Sequence, residues 1–230
     1  MKLRQIVENA TVEAPIYRGL KVPPGIALGD IIELSVRQDR QPKDTSILAS
    51  MLFNYGIECR FGIPDVRKTS IFAASSEYVA EQYSTFSGGA VIQLILPEDA
   101  MVVYHPNVSD SMNILERKDV KDFANHVGKQ IEEPTRAQYT STNSGELFQQ
   151  LAGDEIEDGE DFVETMRMFQ DLAIQMTEGW NAVRVGDLNE HANSIEYMVN
   201  GVRAYSGKVI HLHESTPKPE QKVDDDGIPF

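Results

Sequence analysis

Three separated groups of residues have the types and neighbours that chemistry needs. Arg18 stands between Tyr17 and Gly19 on a short stretch, Ala14 to Leu20, that reads as a strand. Further on, Ser70-Ile71-Phe72-Ala73-Ala74-Ser75 reads as a strand ending in small hydroxyl residues where a helix begins. Such a junction leaves free backbone N–H groups beside a concave surface and suits a polar ligand. Glu196 opens a third stretch, Glu196-Tyr197-Met198-Val199, after a polar loop. A guanidinium can fork onto the oxygens of a small anionic ligand. Each residue also has an ordinary role open to it: a surface ion pair for Arg18, solvation for Glu196, capping for Ser70 and Ser75. His211 and His213 alternate on a strand and point to one face, which suits a metal. No third ligand stands at motif spacing, so no metal site is expected. Cys59, with no base near it in sequence, is expected to be a buried thiol. Neither a phosphate-loop nor a dinucleotide glycine fingerprint is present, so a nucleotide would not be held in a Rossmann fold.

The elements that must position these groups centre on Lys68 to Pro97. That stretch reads as a short strand, a sharp Ser75-Ser76 junction, an amphipathic helix, a Gly88-Gly89 hinge and an apolar strand. Ser75 or Ser76 caps the helix, Glu77 meets the positive end of its dipole, and Val79, Ala80 and Tyr83 share one side. Val91 to Leu96 has one polar residue, Gln93, so both faces of that strand are expected to be covered. Strands are also expected at Ile31 to Val36, Met101 to Tyr104, Ile195 to Ala204 (broken at Asn200-Gly201) and Lys208 to His213. A helix starts at Asp44-Thr45, carries Ile47, Leu48, Met51, Leu52 and Tyr55 as its stripe and stops at Gly56. Further helices are expected over Asp119 to Ile131 and Phe162 to Thr177, with Thr135 to Glu146 as an exposed loop. Met1 to Ala10 reads as a short helix or frayed arm. Strands with helices clustered between them make an α+β class in one domain, 1–214.

The 230 residues suffice for a substantial core, and 41% hydrophobic with 25% charged content is ordinary for a globular protein. No apolar run reaches the length of a membrane span, and the charged first ten residues argue against a signal peptide. One cysteine excludes an internal disulfide, so a reducing, cytoplasmic setting is expected. The net charge of −15 argues against a general nucleic-acid or anionic-membrane binder, which needs a basic footprint. It leaves open a small anion held by one or two placed arginines. The acid is uneven: Asp154, Glu155, Glu157, Asp158, Glu160 and Asp161 crowd together, and 215–230 reads as an acidic, proline-rich disordered tail.

The order Tyr17-Arg18-Gly19, then SIFAASSEYVAEQY before VIQLILP, then IEYMVNG before a closing strand, resembles the ADP-ribosyltransferase family, most of all its arginine–serine–glutamate branch. The whole chain is also similar to uncharacterised tailed-phage proteins of that type, which share an Arg-x-x-Arg-x-Pro-x-Asp-Thr segment, here Arg37 to Thr45. The likeness covers roughly Pro15 to His213, with about 108–189 set apart as a helical insertion. It implies a mixed or antiparallel β core, NAD as substrate, and Glu196, Arg18 and Ser75 as catalytic residues. Tyr17, Arg18, Gly19, Ser70, Phe72 and Tyr83 would line the NAD site. Arg18 would grip phosphate or ribose oxygens, Ser70 or Ser75 would orient the ribose or the glutamate, and Phe72 or Tyr17 would stack on a ring. Glu196 would stabilise the oxocarbenium-like state formed as the nicotinamide–ribose bond breaks. The acceptor would be a macromolecule, a host component if the gene is a phage's, reached in the bacterial cytoplasm. Two departures stand out. Ala73, Ala74 and Ser75 replace the branch's Ser-Thr-Ser, and Ser194 stands where arginine-modifying members have a second acid. Two other outcomes fit the same likeness: a non-catalytic virion component or interaction module, and an NAD glycohydrolase with water as acceptor.

Overall fold

The computed structural model describes residues 14–36, 40, 45–84, 88–189 and 194–213. The expected N-terminal arm at 1–10, the tail at 215–230 and most of the 37–45 segment lie outside those residues. Within them the chain is α+β, with its strands in a single eight-stranded sheet ordered β2-β8-β4-β1-β3-β7-β5-β6. The strands are β1 (Tyr17–Lys21), β2 (Ile31–Ser35), β3 (Ile71–Ala74), β4 (Gly89–Ile95), β5 (Met101–Tyr104), β6 (Asn181–Arg184), β7 (Glu196–Asn200) and β8 (Ala204–Leu212). Every pairing among them is antiparallel. The sheet order sets β1, β3 and β7 side by side, although sequence separates them widely.

Alternation along these strands sorts side chains to two faces. Ile71, Ala73, Tyr197, Val199, Ile92 and Val102 belong to one buried cluster, joined by Leu34, Tyr205 and Val209 from the far strands. Apart from Val185 in a single 3₁₀ turn and Leu188 just after it, strand and loop residues make up this cluster, so no α-helix contributes to it. Phe72, Met198 and Val103 face the other way, into a core made with the helices.

Those helices are α1 (Ile47–Phe61), α2 (Val66–Thr69), α3 (Glu77–Gln82), α4 (Met112–Leu115), α5 (Lys118–Val127), α6 (Arg136–Ser141), α7 (Ser144–Glu155) and α8 (Gly159–Met176). Ser46 caps α1 by accepting from the Leu48 N–H, and the helix runs through Gly56 to end at Gly62, whose φ of 68° suits glycine. The expected stop at Gly56 is therefore displaced. A Cβ at Gly56 would lie 2.2 Å from the Ala173 carbonyl oxygen, so this glycine lets α1 and α8 cross closely. That packing outweighs the roughly 1 kcal/mol a helical glycine costs. The expected loop over Thr135 to Glu146 instead holds α6 and the start of α7, set by a Thr135/Gln138 capping box and an Asn143 cap. The 108–189 segment packs into the core: Phe123, Phe148 and Phe169 pack with Phe53 and Met198, and β6 extends the sheet beside β5. Among the described residues, no helix is long and apolar enough to cross a membrane.

Candidate active site

Register places Tyr17 beside Ala74 and Ala74 beside Glu196, across β1, β3 and β7. Glu196 shares a face with Met198 and Phe72, so its carboxylate enters the helix-covered side. There its Oε2 accepts the Ser111 N–H at 2.8 Å. The buried Ser111 hydroxyl accepts in turn from Nη1 of Arg67, so one serine stands between the two charges. The Arg67 guanidinium lies 5.2 Å from the Phe72 ring centre and 5.8 Å from that of Phe53. Arg40 covers Phe72 as well, at 4.7 Å. Two guanidinium groups thus stack on one aromatic ring beside a carboxylate.

Arg67 comes from α2, a single turn that needs outside support. Asp65, ahead of it, is the one non-glycine residue with positive φ (49°) among those described. Its carboxylate accepts from the Ser144 N–H at 3.1 Å, from the Ser144 hydroxyl at 2.6 Å and from Lys68 Nζ at 2.8 Å. Lys68, only 2% exposed, also donates to the Thr142 carbonyl at 2.7 Å and sits 4.5 Å from the Tyr139 ring centre. Asn54 completes the lattice, accepting from the Arg67 backbone at 2.9 Å and donating to Ser144 at 3.0 Å. Burial pushes the Tyr139 hydroxyl up to about 12. These bonds fix the backbone that aims Arg67.

Burial governs the electrostatics. It pushes the Glu196 carboxyl above its ordinary range, outweighing the Ser111 hydrogen bonds and the attraction of Arg67. It also lowers Arg67, although Glu196, Tyr139 and Asp110 all favour its charge. Folding therefore disfavours both charges, a pattern common where a site is built for function. Tyr83, only partly covered, is raised first by the desolvation of its hydroxyl and then by Asp110 and Glu196.

The residues singled out from sequence divide into three sets. Glu196, Phe72 and Tyr83 come to one side of the sheet. Tyr17 and Ser75 line a neighbouring cleft of about 300 Å³ with Ala14, Pro15, Ser76, Glu77 and Tyr197. Arg18 is set apart: one residue beyond Tyr17, it projects to the opposite face and lies 5.7 Å over the Tyr205 ring. The alternation of β1 prevents Arg18 and Glu196 from sharing a wall.

The serines have local duties as well. Ser75 locks β3 to the start of β7, its hydroxyl accepting the Ile195 N–H at 2.9 Å and its N–H donating to the Ile195 carbonyl at 3.0 Å. Ser76 caps α3 through the Val79 N–H and meets the Ser194 hydroxyl at 3.0 Å. Ser70 is buried and accepts from Asn200 at 3.3 Å. Gly19 makes room for α3, since a Cβ there would fall 2.0 Å from the Ala80 carbonyl oxygen. Cys59 is exposed, not buried, because it lies near the solvent side of the last turn of α1. Sequence reasoning missed Arg67 and Ser111, which sit on short elements without periodic pattern. Arg40 was visible inside the Arg37 to Thr45 segment but carried no assigned role. The chain matches no family model, no curated protein and no solved structure.

Proposed function

We propose that the chain binds NAD against the Phe72 face and transfers ADP-ribose to a macromolecular acceptor, with Glu196 as the catalytic carboxylate. The observation that carries this reading is the half-buried Glu196 carboxylate on the face of Phe72, whose ring carries two guanidinium groups, on a strand adjoining β3. Cleavage of the nicotinamide–ribose bond releases neutral nicotinamide and leaves positive charge on the ribose ring. An ionised Glu196 facing that charge lowers the barrier. The acceptor's nucleophile forms the new bond to the anomeric carbon, and its proton is released, with the Glu196 carboxylate as the nearby base. Arg40 takes the pyrophosphate role that the resemblance gives to Arg18, because its guanidinium lies over the Phe72 ring, and Phe72 shares a face with Glu196. Ser111 and Arg67 orient the carboxylate. The phage likeness makes a host component in the bacterial cytoplasm the acceptor.

A non-catalytic interaction module is the second reading. Its support is that Glu196, Ser111 and Arg67 satisfy one another, while Arg18 faces away and the Ser75 hydroxyl is occupied.

The test is incubation of the full chain with NAD labelled in its adenylate and a bacterial lysate, beside Glu196→Gln and Arg40→Ala. Label entering protein or RNA with the wild type, with at least a ~100-fold loss in Glu196→Gln, supports the transferase. Release of free ADP-ribose without macromolecular label points to hydrolysis at the same site. Silence from the wild type, together with no heat of NAD binding, removes the enzyme and leaves the module.

A further inference from the structure

The two histidines at the end of β8 acquire the third ligand that sequence spacing did not supply. Glu81, from the last turn of α3, brings its Oε1 to 3.5 Å from Nε2 of His211. His213 lies just past β8, its ring centre 4.9 Å from that of His211. Ligand atoms of all three residues lie within 4.8 Å of one another. In tetrahedral zinc with bonds near 2.0–2.1 Å, neighbouring ligand atoms stand about 3.4 Å apart. The Glu81–His211 pair already has that spacing, and His213 offers a ligand atom within 4.8 Å of both.

The surroundings fit as well. The buried hydroxyl of Ser84 donates to the Glu81 carbonyl at 2.8 Å and lies 2.9 Å from His213 Nε2. A hydroxyl has one proton, so with that proton on the carbonyl it accepts from His213 Nε2–H. This leaves the Nδ1 lone pair for an ion. A fixed second partner of this kind orients a metal-binding imidazole. The backbone of His213 is held too, its N–H donating to the Gly89 carbonyl at 2.9 Å. All three side chains are half-buried, so a hydrated ion can reach them.

We propose that Glu81, His211 and His213 bind a divalent first-row transition metal, zinc in the first instance. Two imidazoles and a carboxylate select zinc-like ions over magnesium and calcium, which prefer oxygen alone. Three protein ligands leave a position for water or an anionic group. The ion would tie the C-terminal end of α3 to the end of β8, and the proposal is independent of NAD.

The test uses the full chain, stripped with chelator and titrated with zinc in excess magnesium, so that magnesium occupies the acidic surface. The expected result is one equivalent bound, with a higher Tm and, with cobalt as probe, visible bands of four-coordinate N/O ligation. His211→Ala and His213→Ala should each weaken binding by ~100-fold or more, and Ser84→Ala by roughly 10-fold. Circular dichroism checks that each variant folds. Failure of the wild type to bind overturns the proposal. So does an equivalent that persists in the His211→Ala/His213→Ala double variant.

Discussion

At the scale of single residues, the informative group is Glu196, because its titration separates two roles. Its carboxyl is raised by burial, so the folded state holds the proton more tightly than the unfolded chain does. The sign follows by linkage: the associated stability is present below the unfolded value and is lost as pH rises through the folded one. Glutamine keeps an acceptor for the Ser111 N–H and carries no charge to desolvate. Glu196→Gln is therefore expected to match the wild type in Tm near pH 4 and to exceed it at pH 7. Each pKa unit of displacement is worth about 1.4 kcal/mol. Thermal melts across that range decide the matter. A variant less stable than wild type at pH 7 means that the Arg67 attraction wins and Glu196 is half of a structural pair.

At the scale of elements, local chemistry was legible wherever it was written in neighbouring residues. Ser76 as a cap, Glu77 in the first turn, the doubly covered β4 and β5 at Met101–Tyr104 all follow from short-range pattern. What escaped depends on partners distant in sequence. Gly56 reads as a helix stop until Ala173 is seen against it, and Glu81 becomes a neighbour of His211 only once α3 lies over the sheet. Arg18 and Glu196 fall on recognisable strands, yet which face each takes depends on register, and a step of one residue reverses it. Gly19 shows the same point: the aromatic–Arg–Gly pattern drew attention as a ligand motif, and its glycine is the seat of α3. Gly19→Ala must push α3 off β1, so a loss of about 1–3 kcal/mol is expected from the overpacking. Urea melts check it. An unchanged midpoint shows that α3 floats on the sheet and cannot hold Glu81 in place.

At the scale of the whole molecule, the sheet order joins what sequence keeps apart, and the charge opposes compactness. Thirty-six acidic residues face 21 basic ones, so the folded chain repels itself. The crowded acidic run contributes in two opposite ways. Asp158 caps α8 by accepting from the Glu160 and Asp161 N–H groups, and those two acids sit at the favourable end of its dipole. Asp154 and Glu155 instead end α7, where the dipole is negative and no basic residue stands in the last turn. Raising sodium chloride from about 0.01 M to 0.1 M shortens the screening length from about 30 Å to about 10 Å. The Tm should rise over that range. The Asp154→Lys/Glu155→Lys variant removes part of the repulsion and reverses the dipole contact, worth about 0.3–1 kcal/mol per site at low salt. Its Tm should exceed wild type most at 0.01 M, with the gap narrowing as salt increases. A gap that holds constant with salt would place the gain in helix propensity rather than in charge.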